Sequence, residues 1–586
     1  MVGMGKKKIF NLRISSYMLS SNGISLKNLK TSPTFCFKFL FSFFSFLFVS
    51  GLSFAQKLQV GAPLLEEYLR RQQILNSDSF PNYSFSNRQF YLESIPINED
   101  TNYFKSEKKL NFKVLPFFST VRFNDKRPFG WGDYGMINAN GLQNYLSTGF
   151  FSKLGSFSIQ FQPELFYSQN KDFQGFSRDF SDDILWWIYR FSNLIDNPER
   201  IPGSHLTKLT LGQSFVSYKF KKIEIAVSNR SIWWGPGQWN SLTFSNNARS
   251  FPHISFNTVE PLKSFLGDFE FQIILGKLRS SFVEPFPYDD LNALLFIPFE
   301  NDWRYLNGMT FSYQPKWIPG LYLGLSRTFQ QYSIDNSGSF SDIFPIFEAF
   351  QKERFFVDDN TVIYDGKRQD QQAVLFTRYL IPKAYLELYF EFGRRDHALN
   401  WREMILNPDH ARAYQLGFKK LIKLGNDEKA IQLRGEITHQ QESVSRYIRY
   451  DLPGGSWHTH GSVLTGNTNF GKSLGVGTGL GANSQSFEIS LVNNFNKLGI
   501  LLQRIENNQD FYYASGLKNY GNNPWIDLSG GVLADFKQGN FLISSKIQII
   551  NGINYQWQFS NLNMSEFPKN SNLISMHVQS SFYYFF

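Results

Sequence analysis

Apolar and polar residues alternate along most of this chain. After Ser156 the odd positions Phe157, Ile159, Phe161, Pro163 and Leu165 are apolar, while Ser158, Gln160, Gln162 and Glu164 are polar. After Lys383, the positions Ala384, Leu386, Leu388, Phe390 and Phe392 alternate with Tyr385, Glu387, Tyr389 and Glu391. Ile431, Leu433 and Ile437 alternate with Gln432, Arg434, Glu436 and Thr438, and shorter runs recur at 223–227, 269–275, 321–325 and 541–549. A period of two marks strands with one apolar face. Runs near ten residues suit a strand tilted across a bilayer.

Only a few stretches break the alternation. Pro63 to Leu75 carries Leu64, Leu65, Tyr68, Leu69 and Gln72 at helical spacing, with Pro near its start. Arg178 to Arg200, Ile343 to Arg354 and Trp401 to Leu406 also read as helical. In a barrel such segments cannot face lipid at membrane depth, so they are expected as plugs, lids or periplasmic helices.

Alternating strands fit a soluble sandwich or propeller as well as a transmembrane barrel, and the last strand separates these. Ile574, Met576, Val578, Ser580, Phe582, Tyr584 and Phe586 form one face, and the chain stops on Phe586. An aromatic-rich final strand with a terminal Phe resembles the signal read by the outer-membrane barrel assembly machinery. The expected fold is therefore an all-β, antiparallel transmembrane barrel, with roughly 16–20 strands by counting alternating stretches.

Composition sharpens the picture in three places. The 586 residues include 63 Phe, 28 Tyr and 12 Trp, enough aromatic surface for two interfacial girdles and too much for a disordered chain. The formal charge of +10 looks like a nucleic-acid signal until it is located. Lys6, Lys7, Lys8, Arg13, Lys27, Lys30 and Lys38 lie in the first 55 residues, which carry no acid; without them the balance falls to about +3. No nucleic-acid partner is expected.

The basic stretch precedes an apolar run from Phe39 to Val49 and a small-x-small pattern, Ser53-Phe54-Ala55. This reads as a secretory signal peptide cleaved after Ala55, with Met18 as an alternative start to Met1. Cys36, the single Cys, would leave with it. The expected organisation is a leader over 1–55, an N-terminal periplasmic helical segment over 56–110, and a barrel with inserted helices and loops over 111–586.

Several motifs invite chemistry. Gly466–Ser473 fits the P-loop expression, Gly471–Gly475 the nucleophile elbow, and Gly477–Ala482 the dinucleotide fingerprint. Each mechanism needs a strand, a tight loop and a following helix, whereas a Gly-rich strand pattern follows here; a hairpin turn is expected instead. His458 and His460, with His439 upstream, would put two imidazoles on one strand face, but the sequence identifies no third ligand. Asp396-His397 and Asp409-His410 could orient a base, yet adjacent strand residues point to opposite faces. Glu164, Glu224, Glu270, Glu387, Glu391, Arg434 and Glu436 occupy polar phases and are expected to pair across a lumen. No catalytic residue, metal or cofactor is assigned.

The most distinctive stretch is Ser231-Ile232-Trp233-Trp234-Gly235-Pro236-Gly237-Gln238-Trp239, followed by Asn246, Asn247 and Arg249. Tryptophan faces stack on the CH-rich faces of sugars, and Asn and Arg donors bond hydroxyls and carboxylates. The same residues also suit an inward-folded loop that closes a pore. Trp233, Trp234, Gly235, Pro236, Gly237, Trp239, Asn246, Asn247 and Arg249 are the candidate glycan-binding or supporting residues.

This stretch resembles the Wzi-type capsule assembly proteins of the Gram-negative outer membrane. Similar matches follow in order: Pro128–Asp133 with Gly141-Leu142-Gln143, Gln162-Pro163-Glu164, Asp196–Arg200, Asp302–Tyr305, Asp396-His397 with Arg412-Ala413-Tyr414, and Asn483-Ser484-Gln485. Together they span roughly residues 60 to 586. The resemblance implies a barrel of about eighteen strands, closed by helices and loops, that acts without catalysis as a lectin tethering capsular or surface polysaccharide. The implied partners are that polysaccharide, outer-membrane lipid and the barrel assembly machinery. A transport pore, or a surface adhesin of gliding type with protein partners, stands as the alternative.

Overall fold

Polar residues point inward and apolar residues outward along nearly every strand, the reverse of a water-soluble sheet. In a computed structural model of the chain, described for residues 59–77, 80–88, 110–348, 355–357, 361–363, 367–395, 405–406, 409, 411–425, 429–442, 456–520, 523–557 and 572–586, Leu375, Val532 and Ile549 on the outer face are more than half exposed. On the inner face Gln272, Arg378, Glu387, Glu391, Gln415 and Glu488 are fully buried. The described residues belong to one compact unit, Ser53–Phe586.

A single antiparallel sheet holds 23 strand segments among the described residues. Five successive pairs continue one strand across a break of a few residues: Leu110–Val114 with Phe117–Asn124, Gly141–Ser147 with Phe150–Leu154, Phe157–Phe161 with Glu164–Ser168, Leu206–Thr210 with Phe215–Phe220, and His253–Thr258 with Leu262–Lys263. From Gly267–Leu278 onward the strands are longer. Arg304–Pro315, Leu321–Tyr332 and Asp370–Ile381 are each 12 residues, which at about 3.3 Å per residue and the usual tilt covers the ~25 Å apolar band of an outer-membrane barrel. The final strand, Leu573–Tyr584, pairs back onto Phe117–Asn124, with Phe117 opposite Tyr584 and Asn124 opposite His577. The ladder therefore returns to the strand where it began, and the architecture is a transmembrane β-barrel. Among the described residues, no helix is long and apolar enough to cross a membrane.

The two ends of the barrel differ. At one end the connections are short, as between Asn493 and Asn496 or Gln538 and Phe541. Aromatic rings cluster on the outer wall there: Phe269 stacks on Tyr313 at 4.8 Å, and Phe541, Tyr584 and Phe586 form a chain of ring contacts at 4.8 and 5.2 Å. Such a girdle sits at the membrane–water interface. At the other end the connections are long and carry most of the helices.

Helix α1 (Leu65–Leu75) packs inside the wall at the short-turn end. Ile74 at its last turn joins Tyr322, Leu380, Leu421, Ala430 and Val492, and Tyr68 stacks on Phe495 at 4.0 Å. Helix α2 (Asp182–Ser192) occupies half of the Arg178–Arg200 range expected from the sequence. It packs with α3 (Asp289–Leu295), which periodicity did not announce, through Tyr189 and Asn292, 2.7 Å apart. The expected helix from Ile343 to Arg354 is corrected over its described part. Helix α4 (Phe340–Ile343) stops there, and a 3₁₀ turn (Pro345–Phe347) follows, because Pro345 disfavours helical backbone at Phe344. Helix α5 (Gln509–Ala514) joins α2 in an apolar cluster with Trp525, Tyr555 and Trp557 over the long-loop end. The leader, the pair Asp396-His397, His410 and positions 401–404 lie outside the described residues.

Candidate functional site

The tryptophan-rich stretch is a long connection between two neighbouring strands. Ile223–Ser228 and His253–Thr258 pair directly, so residues 229–252 leave the wall and return to the same place. Between those points they fold into the lumen. Two glycines permit the entry. At Gly235 (φ +110°) a Cβ would meet the Glu391 carboxylate at 2.4 Å, and at Gly237 it would sit 1.9 Å from the Asn240 carbonyl.

Two wall carboxylates then hold the loop by its backbone. Glu391 accepts hydrogen bonds from the amides of Gly237 (3.0 Å) and Leu242 (2.9 Å). Glu436 accepts from Gln238 (2.6 Å), Trp239 (3.2 Å) and Asn240 (3.0 Å), and from the Tyr389 hydroxyl (2.8 Å). The sequence expectation of lumen-facing carboxylates is met, and some of them grip backbone rather than cations.

From the short-turn end, α1 and the chain after it complete the grip. Arg70 donates to the Pro236 carbonyl (2.6 Å) and pairs with Glu387 (Nε to Oε1, 2.7 Å), which also pairs with Arg378 (2.8 Å). Arg88 bonds the Gly237 carbonyl, pairs with Glu66 and lies 4.1 Å over the Trp233 ring. Glu67 pairs with Arg71 (2.9 Å), Lys497 (2.9 Å) and Arg434 (3.3 Å). Burial pushes the Glu67 carboxyl pKa up, but Arg434, Lys497 and Arg71 together hold it well below the usual carboxylate value. These charges of α1 went unread in the sequence, because their partners lie hundreds of residues away.

Each candidate residue has a defined place. Trp233 and Trp234 are 3% and 1% exposed. Trp234 donates its indole N–H to Gln272 (2.8 Å), meets Phe244 edge-on at 4.8 Å and lies against Gly308, where a Cβ would come 2.9 Å from the ring. Trp239 is half-buried with Arg434 4.5 Å over its ring. The Asn246 carbonyl accepts from the Tyr134 amide (2.7 Å), and Asn247 donates to the Ser473 carbonyl (2.9 Å). Both asparagines staple the loop to neighbouring segments. Arg249 is half-buried beside Phe470, 4.8 Å from the ring. The candidates thus come together as one inserted element, with only Trp239 and Arg249 partly exposed.

The enzyme-like motifs resolve into a hairpin. Thr468–Asn469 pairs with Lys472–Ser473, and the next element is the strand Asn483–Asn493 rather than a helix. Lys472 turns inward to Asp133 (2.7 Å) and the Met136 carbonyl (2.9 Å), and Asp133 also pairs with Arg122 (2.8 Å). Burial raises the Asp133 pKa, but Lys472 and Arg122 bring it below the ordinary value. His458 and His460 sit in the loop before this hairpin, not on a strand face, and the His460 ring accepts from the amides of Ser462 and Val463. Among the described residues no three His, Cys, Asp or Glu side chains converge as metal ligands.

A family model described as "Capsule assembly protein Wzi" matches residues 125–522. Among solved structures, the chain is similar to Wzi of Escherichia coli, described as an outer-membrane protein involved in group 1 capsule assembly and a carbohydrate-binding β-barrel. The TM-score is 0.56 at 13% identity, covering 90% of this chain and 99% of that one. Two Pseudomonas aeruginosa proteins are more distant. OccD3 (OpdP) has TM-score 0.36 at 11% identity, covering 80% of this chain and 91% of its own; OccK8 (OprE) has 0.38 at 7%, covering 80% and 97%. No curated protein matches the chain. The likeness to the Escherichia coli protein supports the barrel fold, and with a family model matching more than half of its length, this chain belongs to the Wzi capsule assembly protein family.

Proposed function

We propose that this protein is a non-enzymatic outer-membrane lectin that anchors or helps assemble capsular or surface polysaccharide. The observation that carries the reading is the filled lumen. Residues 229–252 and α1 are fixed across it by Glu391, Glu436, Arg70 and Arg88, an arrangement that opposes solute flow. A large barrel held shut this way is better suited to presenting its long loops than to conducting. Membership of a capsule assembly family, and a carbohydrate-binding barrel of the same fold, point to polysaccharide as what those loops meet.

On this reading Trp233, Trp234, Gly235, Pro236, Gly237, Asn246 and Asn247 form the supporting shell, while Trp239 and Arg249 retain surface for contact. The long-loop end faces outward, α1 sits at the periplasmic mouth, the leader is removed after Ala55, and the strand ending at Phe586 is read by the assembly machinery. The deciding experiment is binding of refolded protein to polysaccharide from its own strain, beside Trp234→Ala and an unrelated barrel. Saturable binding, weakened in the folded variant and absent from the control barrel, is expected. Equal binding by all three would remove the lectin reading.

A further inference from the structure

The Gly466–Ser473 hairpin, left without a nucleotide role, has an unusual tip. Phe470 adopts φ +49°, a left-handed conformation that bulky residues seldom occupy, and Gly471 follows at +80°. Three bonds hold this turn in place: the Phe470 amide to the Arg279 carbonyl (2.9 Å), the Arg279 amide to Asn469 Oδ1 (3.0 Å), and Asn469 Nδ2 to the Arg249 carbonyl (2.9 Å). The result brings the Phe470 ring within reach of two cations from distant parts of the chain. The Arg249 guanidinium is 4.8 Å from its centre and Lys208 Nζ is 5.7 Å away.

Among the described residues no carboxylate comes within ion-pair distance of Lys208, Arg249 or Arg279, although most lumen cations have such a partner. Glu164, the acid that acts on Arg249, is already bonded by the Tyr145 hydroxyl (2.8 Å) and Gln213 (2.7 Å). Arg249 Nε is buried without a hydrogen-bond partner. Lys208 and Arg279 are exposed. Lys208 lies on the strand Leu206–Thr210, which among the described residues pairs only with Glu164–Ser168, leaving its other edge without a strand.

We propose that Arg249, Phe470, Lys208 and Arg279 form a subsite for a carboxylated sugar, a uronate unit of the bound polysaccharide. This rests on the polysaccharide reading and names the chemistry the site selects. A guanidinium fits a carboxylate with paired N–H donors. Phe470, itself partly exposed, adds apolar surface for the CH side of a pyranose to pack beside, which a small inorganic anion would not use. Lys208 and Arg279 supply positive potential at the entrance.

The test compares the strain's own surface polysaccharide with the same material after chemical reduction of its carboxylates to alcohols, using the full chain refolded in micelles. Native polymer is expected to bind at least about tenfold more tightly than reduced polymer, the usual scale for one charge-assisted contact. Arg249→Gln should bind both forms alike, at the weaker level. Lys208→Ala with Arg279→Ala, both at exposed positions, should lower native affinity several-fold and flatten its salt dependence, with heat-modifiable gel migration confirming the fold. Equal binding of native and reduced polymer by wild type, or full discrimination retained by folded variants, would overturn the uronate subsite and leave the lectin reading standing. If wild type binds neither form, the polysaccharide reading fails, and the subsite with it.

Discussion

At the level of single residues, the inserted loop depends on atoms that are absent as much as on those present. Gly237 has no room for a methyl group, since Asn240 O and Gln415 Nε2 lie 1.9 and 2.2 Å from where a Cβ would stand. Gly530, on the outer wall, would meet only Leu502 at 3.8 Å. Gly237→Ala is therefore expected to destabilise the barrel by about 2 kcal/mol or more, through backbone displacement and loss of the amide bonds to Glu391. Gly530→Ala should stay within about 0.5 kcal/mol of wild type. Urea titration of the refolded proteins, followed by tryptophan fluorescence, reads both; similar midpoints would mean that the loop is not tightly seated. The Gly-Pro-Gly turn was legible in the sequence because those residues have few other uses. The burial of Trp233 and Trp234 was not. A tryptophan pair flanked by Asn and Arg reads equally well as a sugar platform or as packing, and the choice is made by Gln272, Phe244 and Gly308.

Among elements, strands declared themselves and insertions did not. The apolar phase read from Phe157, Ile159 and Phe161, or from Leu388 and Phe390, is the exposed outer face, because only one side of each strand meets lipid. Helix α1 was visible through its leucines, yet its energetics lie in Glu66, Glu67, Arg70 and Arg71, all paired inside the lumen. Breaking one partner of a buried pair leaves the other uncompensated, at about 3–5 kcal/mol. Glu67→Gln should accordingly loosen α1 and give open bursts in single-channel recordings where wild type stays closed. The pH response follows from the depressed Glu67 pKa. Its contribution is fully present above the unfolded carboxylate value, about 4.3, and is lost only as pH falls through the lower folded value. Wild type should thus remain closed from neutral pH down to about 4.5. Opening near pH 6 would show that other groups, not Glu67, hold the helix.

For the whole molecule, the asymmetry of the ends assigns an orientation that can be checked directly. Barrels of this class place short turns in the periplasm and long loops outside. That puts Ser156, exposed at a tight turn, inside the cell envelope, and Ile334, 79% exposed beyond the strand Leu321–Tyr332, on the surface. The composition makes the experiment clean. Cys36 is the one Cys of the chain, so both variants in a Cys36→Ser background carry a single thiol. In Ile334→Cys the new thiol should react with a membrane-impermeant maleimide on intact cells. In Ser156→Cys it should react only after the outer membrane is permeabilised. The reverse pattern would invert the barrel and move α1 to the surface, and the uronate subsite, built from segments at the long-loop end, would then face away from the polysaccharide. Labelling of both variants on intact cells would instead mean that short turns are reachable from outside, and the barrel could not be closed as its hydrogen-bonded ladder and filled lumen require.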